Sequence, residues 1–207
     1  VYKLYPSLVL GFHGCDEKVA EKILANKETL QPSEKEYDWL GHGSYFWENS
    51  PERAMEWAKD RKRRGSISKP AVLGAVIALG RCLDLIEAHS LRLLQEHHDA
   101  MQETYRVAGK EDQIPRNRRA KGSKDLLNRQ LDCAVIEYMH SQIKEQYENG
   151  SKIPPFDSAR GAFFEGDELY STSGFKEKNH IQICVRNPNC IKGFFRPRDL
   201  DKKHSTV

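Results

Sequence analysis

The run AVLGAVIAL at residues 71–79 sets the first constraint. It is rich in Val and Ile and has no polar residue on either alternation. It is far shorter than a bilayer-spanning helix and reads as a strand buried on both faces. Such a strand needs layers packed on each side of it. The rest of the chain supplies them in a non-alternating order. Residues 7–13 (SLVLGFH) read as a short strand bounded by glycine. Asp16 caps a helix reaching about residue 27, with Val19, Ala20, Ile23 and Leu24 on one face. Residues 28–41 are a polar loop, and Tyr45-Phe46-Trp47 is a brief aromatic strand. Ser50-Pro51-Glu52 then opens a second helix, with Ser as cap, Pro at the first position and an acid in the first turn. Ala54, Met55 and Ala58 form its inner face.

Residues 86–108 step at three and four through Leu91, Leu94, His98, Met101 and Tyr105 and read as a helix. A basic loop follows at 109–123. Residues 124–148 read as another helix, with Leu127, Leu131, Ala134, Tyr138 and Ile143 inward, stopped by Asn149-Gly150. Four short β-type runs close the chain, at 163–164, 169–170, 181–186 and 190–195. The expectation is one α+β domain over 1–207, with non-alternating topology and a helical insert at about 86–148.

Charge is nearly balanced, at net +3, but unevenly placed. KDRKRRGSISK at 59–69 and RNRRAKGSK at 116–124 are strongly basic, and read either as phosphate contacts for nucleic acid or as solvated ends and loops. The five cysteines, Cys15, Cys82, Cys133, Cys184 and Cys190, show neither C-x-x-C nor zinc-site spacing and read as free thiols. No apolar run spans a membrane and the opening residues carry no signal pattern, so the expected setting is the cytoplasm. There is no internal repeat, and no low-complexity tail beyond the final DKKHSTV.

The motifs that would mark phosphate loops, dinucleotide fingerprints, serine-hydrolase elbows or HExxH metalloproteases are missing from the sequence. No metal site is expected. What remains is GFHG at 11–14 and GHGSYF at 41–46, each a ring side chain among glycines. Glycine lets a ligand or another backbone approach closely. By residue type alone, His13 and Tyr45 fit core aromatics beside turn glycines as well as a ligand site.

GFHG, followed by GHGSYFWENSPERAMEWA and finally HIQICVRNPNCIKGFF, resembles the ADP-ribosyltransferase family of the diphtheria-toxin and poly(ADP-ribose) polymerase type. Gly41, Gly43, Tyr45, Phe46, Ser50, Ala54 and Trp57 carry the middle motif. The resemblance covers about half of the chain and leaves 86–160 unmatched. It implies a split antiparallel sheet that cradles NAD. In that family pattern His13 bonds an adenosine ribose hydroxyl, Gly14 offers backbone groups to the nicotinamide amide, and Tyr45 stacks on the ring. Gly43 lies beside the same cleft, and Gln182 stands where a glutamate is usual, next to the ribose. A neutral Gln orients a hydroxyl but takes no proton. The implied outcome is mono-ADP-ribosylation or an inactive NAD binder. Glu165, with Glu168 as rival, is the candidate substitute carboxylate. Arg160 pairs with the NAD diphosphate, pairs with that acid, or is simply solvated. The implied acceptor is nucleic acid, RNA or DNA, with a protein acceptor as the alternative. By analogy of fold alone, a compact enzyme of this type suits a toxin restrained by an antitoxin protein, or a phage-defence effector.

Overall fold

The computed structural model describes residues 8–120 and 124–199. Residue 7, residues 121–123 of the second basic cluster and the final DKKHSTV lie outside the described residues. Seven strands form one open sheet: β1 (Val9–Asp16), β2 (Ser44–Glu48), β3 (Pro70–Ile77), β4 (Cys82–Asp84), β5 (Ser158–Phe163), β6 (His180–Val185) and β7 (Ile191–Phe195). Their order is β4-β5-β6-β2-β1-β3-β7. Only β4 and β5 run parallel; the other neighbours are antiparallel. With α1 (Glu17–Leu24), α2 (Pro51–Arg63), α3 (Ala88–Val107) and α4 (Gln130–Glu148), the architecture is mixed α+β. No helix among the described residues is long and apolar enough to cross a membrane.

The apolar run at 71–79 is the body of β3, paired with β1 on one side and β7 on the other. Asp16 does cap α1, accepting from the Lys18 N–H, but the helix stops at Leu24. Ser50 precedes α2 as expected, yet its side chain makes no capping bond; Pro51 and Glu52 follow at the start. Residues 124–129 are not helical, and α4 begins at Gln130. Leu169-Tyr170 forms bends and turns rather than a strand. All five cysteines are free and buried.

Register decides which residues share a face. Phe12 lies opposite Trp47, Trp47 opposite Gln182, and Gln182 opposite Gly161. Side chains alternate along a strand and opposed residues point the same way. Phe12, Gly14, Tyr45, Trp47, Gln182, Cys184 and Gly161 therefore share one face. His13, Phe46, Glu48, Ile183 and Arg160 share the other. On the first face α2 packs through Ala54, which is fully buried against Phe12 and Trp47. Further along that face, Met139 and Ile143 of α4, with Trp39 and Leu40, cover Cys184 and Ala159. On the second face α1 packs Ala20 and Ile23 against Cys15 and Leu73. Glycine sets how close these layers come. A Cβ at Gly14 would run into the Ala54 carbonyl, and one at Gly161 would lie 2.8 Å from the Trp39 ring.

Candidate functional site

The motif residues come together on the three consecutive strands β6, β2 and β1, but not on one face. His13 points away from Tyr45 and Gln182. Its Nδ1–H donates to the Tyr45 carbonyl at 2.8 Å, and its ring meets Phe46 edge-on at 5.9 Å. Burial holds its pKa below the ordinary value, partly offset by that bond. Tyr45 is folded into its own turn. Its hydroxyl accepts from the Leu40 N–H at 2.9 Å and donates to the Gly41 carbonyl at 2.8 Å. Burial drives its phenol pKa upward. Gly41 has φ +80°, so the turn that receives this hydroxyl calls for glycine. Gly43, at the start of β2, approaches Val185 and Cys184. It also lines a cavity of ≈ 510 Å³ with His42, Asp157 and Arg186, at the other end of β2 from Glu48.

Arg160 points to the His13 face. It pairs with neither Glu165 nor Glu168; its guanidinium donates two bonds to Glu48, at 2.6 and 3.1 Å, and one to Asp84 at 2.9 Å. These carboxylates raise its pKa. Of its alternatives, neither the pairing with the acid at 165 nor a solvated side chain is what the structure shows: Arg160 is 18% exposed, and β5, β6 and β2 lie in a register that brings Glu48 to it. Glu165 instead meets Arg53 of α2 at 3.0 Å. Glu168 is exposed and caps a turn through the Thr172 N–H.

On the face covered by α2, Trp47 and Gln182 lie between Ala54 of α2 and Trp39. Trp39 Nε1–H donates to Gln182 Oε1 at 2.6 Å. An indole nitrogen only donates, so this bond fixes the amide orientation. The Gln182 NH2 has no partner among the described residues. Rings line the site: Trp39 and Phe163 at 5.1 Å, Phe163 stacked on His180 at 5.5 Å, His180 and Trp47 at 6.2 Å, Trp47 and Trp57 at 5.9 Å. Arg129 lies over Trp39 at 4.9 Å and Arg61 over Trp57 at 5.2 Å.

Polar groups in this cluster are unmet. Trp47 Nε1, Arg53 Nε and His180 Nε2 are buried with no hydrogen-bond partner among the described residues. Native interiors rarely leave such groups unpaired. His180 Nδ1 lies 2.6 Å from the Lys178 carbonyl, so it carries the proton and Nε2 is a bare acceptor. Burial brings the His180 pKa down to about 4, with the Arg53 charge adding to the fall. The imidazole is neutral at physiological pH.

Sequence reading missed Trp47, Arg53 and His180. The period of two contained a signal for two of them, since Trp47 follows Tyr45 and His180 precedes Gln182 by two positions. The basic clusters border the same region. Arg61, Lys62 and Arg63 form the last turn of α2. In the second cluster Arg118 pairs its backbone with Asn128, while Asp125 binds the Gly166 N–H and Lys176 and ties this loop to residues 164–179. No group of three or more His, Cys, Asp or Glu able to hold a metal occurs among the described residues.

An uncharacterized protein of Methanocaldococcus jannaschii is similar to this chain. It is 28% identical over 199 residues, covering 87% of this chain and 83% of that protein. No family model matches the chain, and no solved structure matches it.

Proposed function

We propose that the chain is a mono-ADP-ribosyltransferase that holds NAD against the ring cluster between α2 and Trp39 and transfers ADP-ribose to a nucleic-acid acceptor. The observation that carries this reading is the fixed amide of Gln182. Its carbonyl is taken by Trp39, its NH2 has no partner among the described residues, and the buried Trp47 Nε1, Arg53 Nε and His180 Nε2 of the same ring cluster are unmet. The order of motifs along the chain supports it, as does the placement of β1, β2 and β6 side by side. In this reading the sheet is a divergent form of the split antiparallel NAD-binding fold.

The chemistry follows from the groups present. The bond from ribose C1′ to the nicotinamide nitrogen breaks, and its electron pair leaves with nicotinamide, cancelling the ring's positive charge. The ribose passes through an oxocarbenium-like state. The acceptor then bonds to C1′ and loses a proton. Gln182 donates to a ribose hydroxyl oxygen and holds the sugar. Trp57, 38% exposed, offers the aromatic face. Tyr45, its hydroxyl used inside the turn, holds the segment that carries Trp39. His13 acts from the other face by tying β1 to β2. Glu165 stands at the end of β5 as the carboxylate for the acceptor proton. Basic side chains at α2 and 116–119 draw in a phosphate backbone, and an unpaired base reaches C1′ more easily than a stacked one. The working setting is the cytoplasm, with an antitoxin protein covering the site.

The test uses NAD labelled in its adenylate half, incubated with RNA, DNA and crude lysate. Label released by nuclease supports the reading, and label released only by protease moves the acceptor to protein. Stabilisation by NAD without nicotinamide release under any of these conditions makes the chain a binding module instead.

A further inference from the structure

Arg53 is placed against the usual rules. It sits in the first turn of α2, where the helix dipole is positive and favours anions over cations. Its side chain is only 15% exposed. Its terminal nitrogens meet Glu56 and, at 3.0 Å, Glu165, yet Nε is buried and bare among the described residues. Ser50 leaves the first-turn N–H groups without a side-chain cap. Trp47, 6% exposed, packs against Ala54 of the same turn and buries an unpaired indole N–H. A guanidinium, an indole N–H and an uncapped helix start all offer positive or donor character. His180 beside them is neutral and adds no competing charge. A helix start combined with an arginine fork is a setting for phosphate.

We propose that Arg53 binds a phosphate group of the ligand, and that Glu165 is its internal stand-in, displaced from Arg53 when the phosphate arrives. The displaced carboxylate is then free to take the proton of the attacking acceptor, so the base becomes available only in the loaded site. Arg160 differs in that its carboxylate partners, Glu48 and Asp84, are 12% and 5% exposed, whereas Glu56 and Glu165 on Arg53 are 56% and 23% exposed and more readily exchanged for a ligand. The phosphate belongs to the NAD diphosphate or to the nucleic-acid acceptor. Only that choice, and the use of the freed base, rest on the function proposed above.

The experiment is calorimetric titration of inorganic pyrophosphate at low salt into the wild type, Arg53→Met, Arg53→Lys and Glu165→Gln, each checked for folding by its denaturation midpoint. The wild type is expected to bind. Arg53→Met should weaken binding at least about tenfold, the scale of one charge-assisted bond, and Arg53→Lys should recover part of it. Glu165→Gln should bind several-fold tighter, because the competing carboxylate is gone. No binding by the wild type, unchanged binding by Arg53→Met, or weaker binding by Glu165→Gln would each overturn the proposal. Parallel titrations with ADP-ribose and a short single-stranded RNA distinguish the two phosphate sources by which of them loses affinity in Arg53→Met. Arg53-dependent pyrophosphate binding in a protein that never releases nicotinamide would uphold this inference while removing the transferase reading.

Discussion

Arg160 and Arg53 lie on opposite sides of the same sheet and show how differently its two faces are finished. Arg160 is closed off: Glu48 from β2, across β6, and Asp84 from the adjacent β4, 12% and 5% exposed, fill its fork. Arg53 is shared between a surface acid and one at a strand end, with Nε bare and an unpaired indole N–H nearby. Polar groups matched by their neighbours hold a fold in one state. Polar groups left unmatched among well-packed rings call for a partner that the fold itself does not supply. The Arg160 face is matched within the fold, and the unmatched groups lie on the α2 face, where the proposed site falls.

The largest expected effect tests the closed face. Arg160→Met strands Glu48 and Asp84 together in the interior and should cost about 3–5 kcal/mol in urea denaturation. A loss under about 1 kcal/mol, the value of an exposed pair, would mean that this face is no better matched than the other. Next comes the close approach of α2. Gly14→Ala pushes a methyl group into the Ala54 carbonyl and should destabilise by about 1–3 kcal/mol. Unchanged stability would show that α2 lies further from β1. On the open face, Trp39→Phe keeps the ring but frees the Gln182 carbonyl. It should cost only about 1 kcal/mol of stability while lowering nicotinamide release at least about tenfold. Equal release would separate Trp39 from the site.

The smallest effect is a pH dependence. The folded-state pKa of His180 is about 4, below the ordinary 6.5. The unfolded chain therefore binds the proton first as pH falls. This contribution to stability is complete above about pH 6.5, fades between 6.5 and 4, and is constant below. His180→Phe, which keeps the stack on Phe163, should flatten the urea midpoint against pH in that window relative to wild type. Parallel profiles would place His180 in water rather than in the cluster.

Most elements were legible because they rest on local pattern. The β3 run, the Asp16 cap and the Pro51 helix start are visible in a few adjacent residues. The three residues of β4 are too few to show a period. Residues 124–129 contain helix-compatible residues, but Asp125 is committed to Gly166 and Lys176, which lie far along the chain. The partner of Arg160 depends on the register of three strands, which no local pattern encodes. For the same reason His13 and Tyr45 were recognisable as special while their opposite directions were not. Period two does predict that Tyr45 and Trp47 share a face, and His180 and Gln182 likewise; what the sequence withholds is that all four share the same one.

The most direct test of the open face is nicotinamide release from NAD in the presence of RNA, compared between the wild type and Gln182→Leu. The wild type should release nicotinamide and label the RNA, and Gln182→Leu should lose at least about a hundredfold of that rate with its denaturation midpoint unchanged. No release by the wild type, or full release by Gln182→Leu, would contradict the assignment of this face as the place where NAD is held and cleaved.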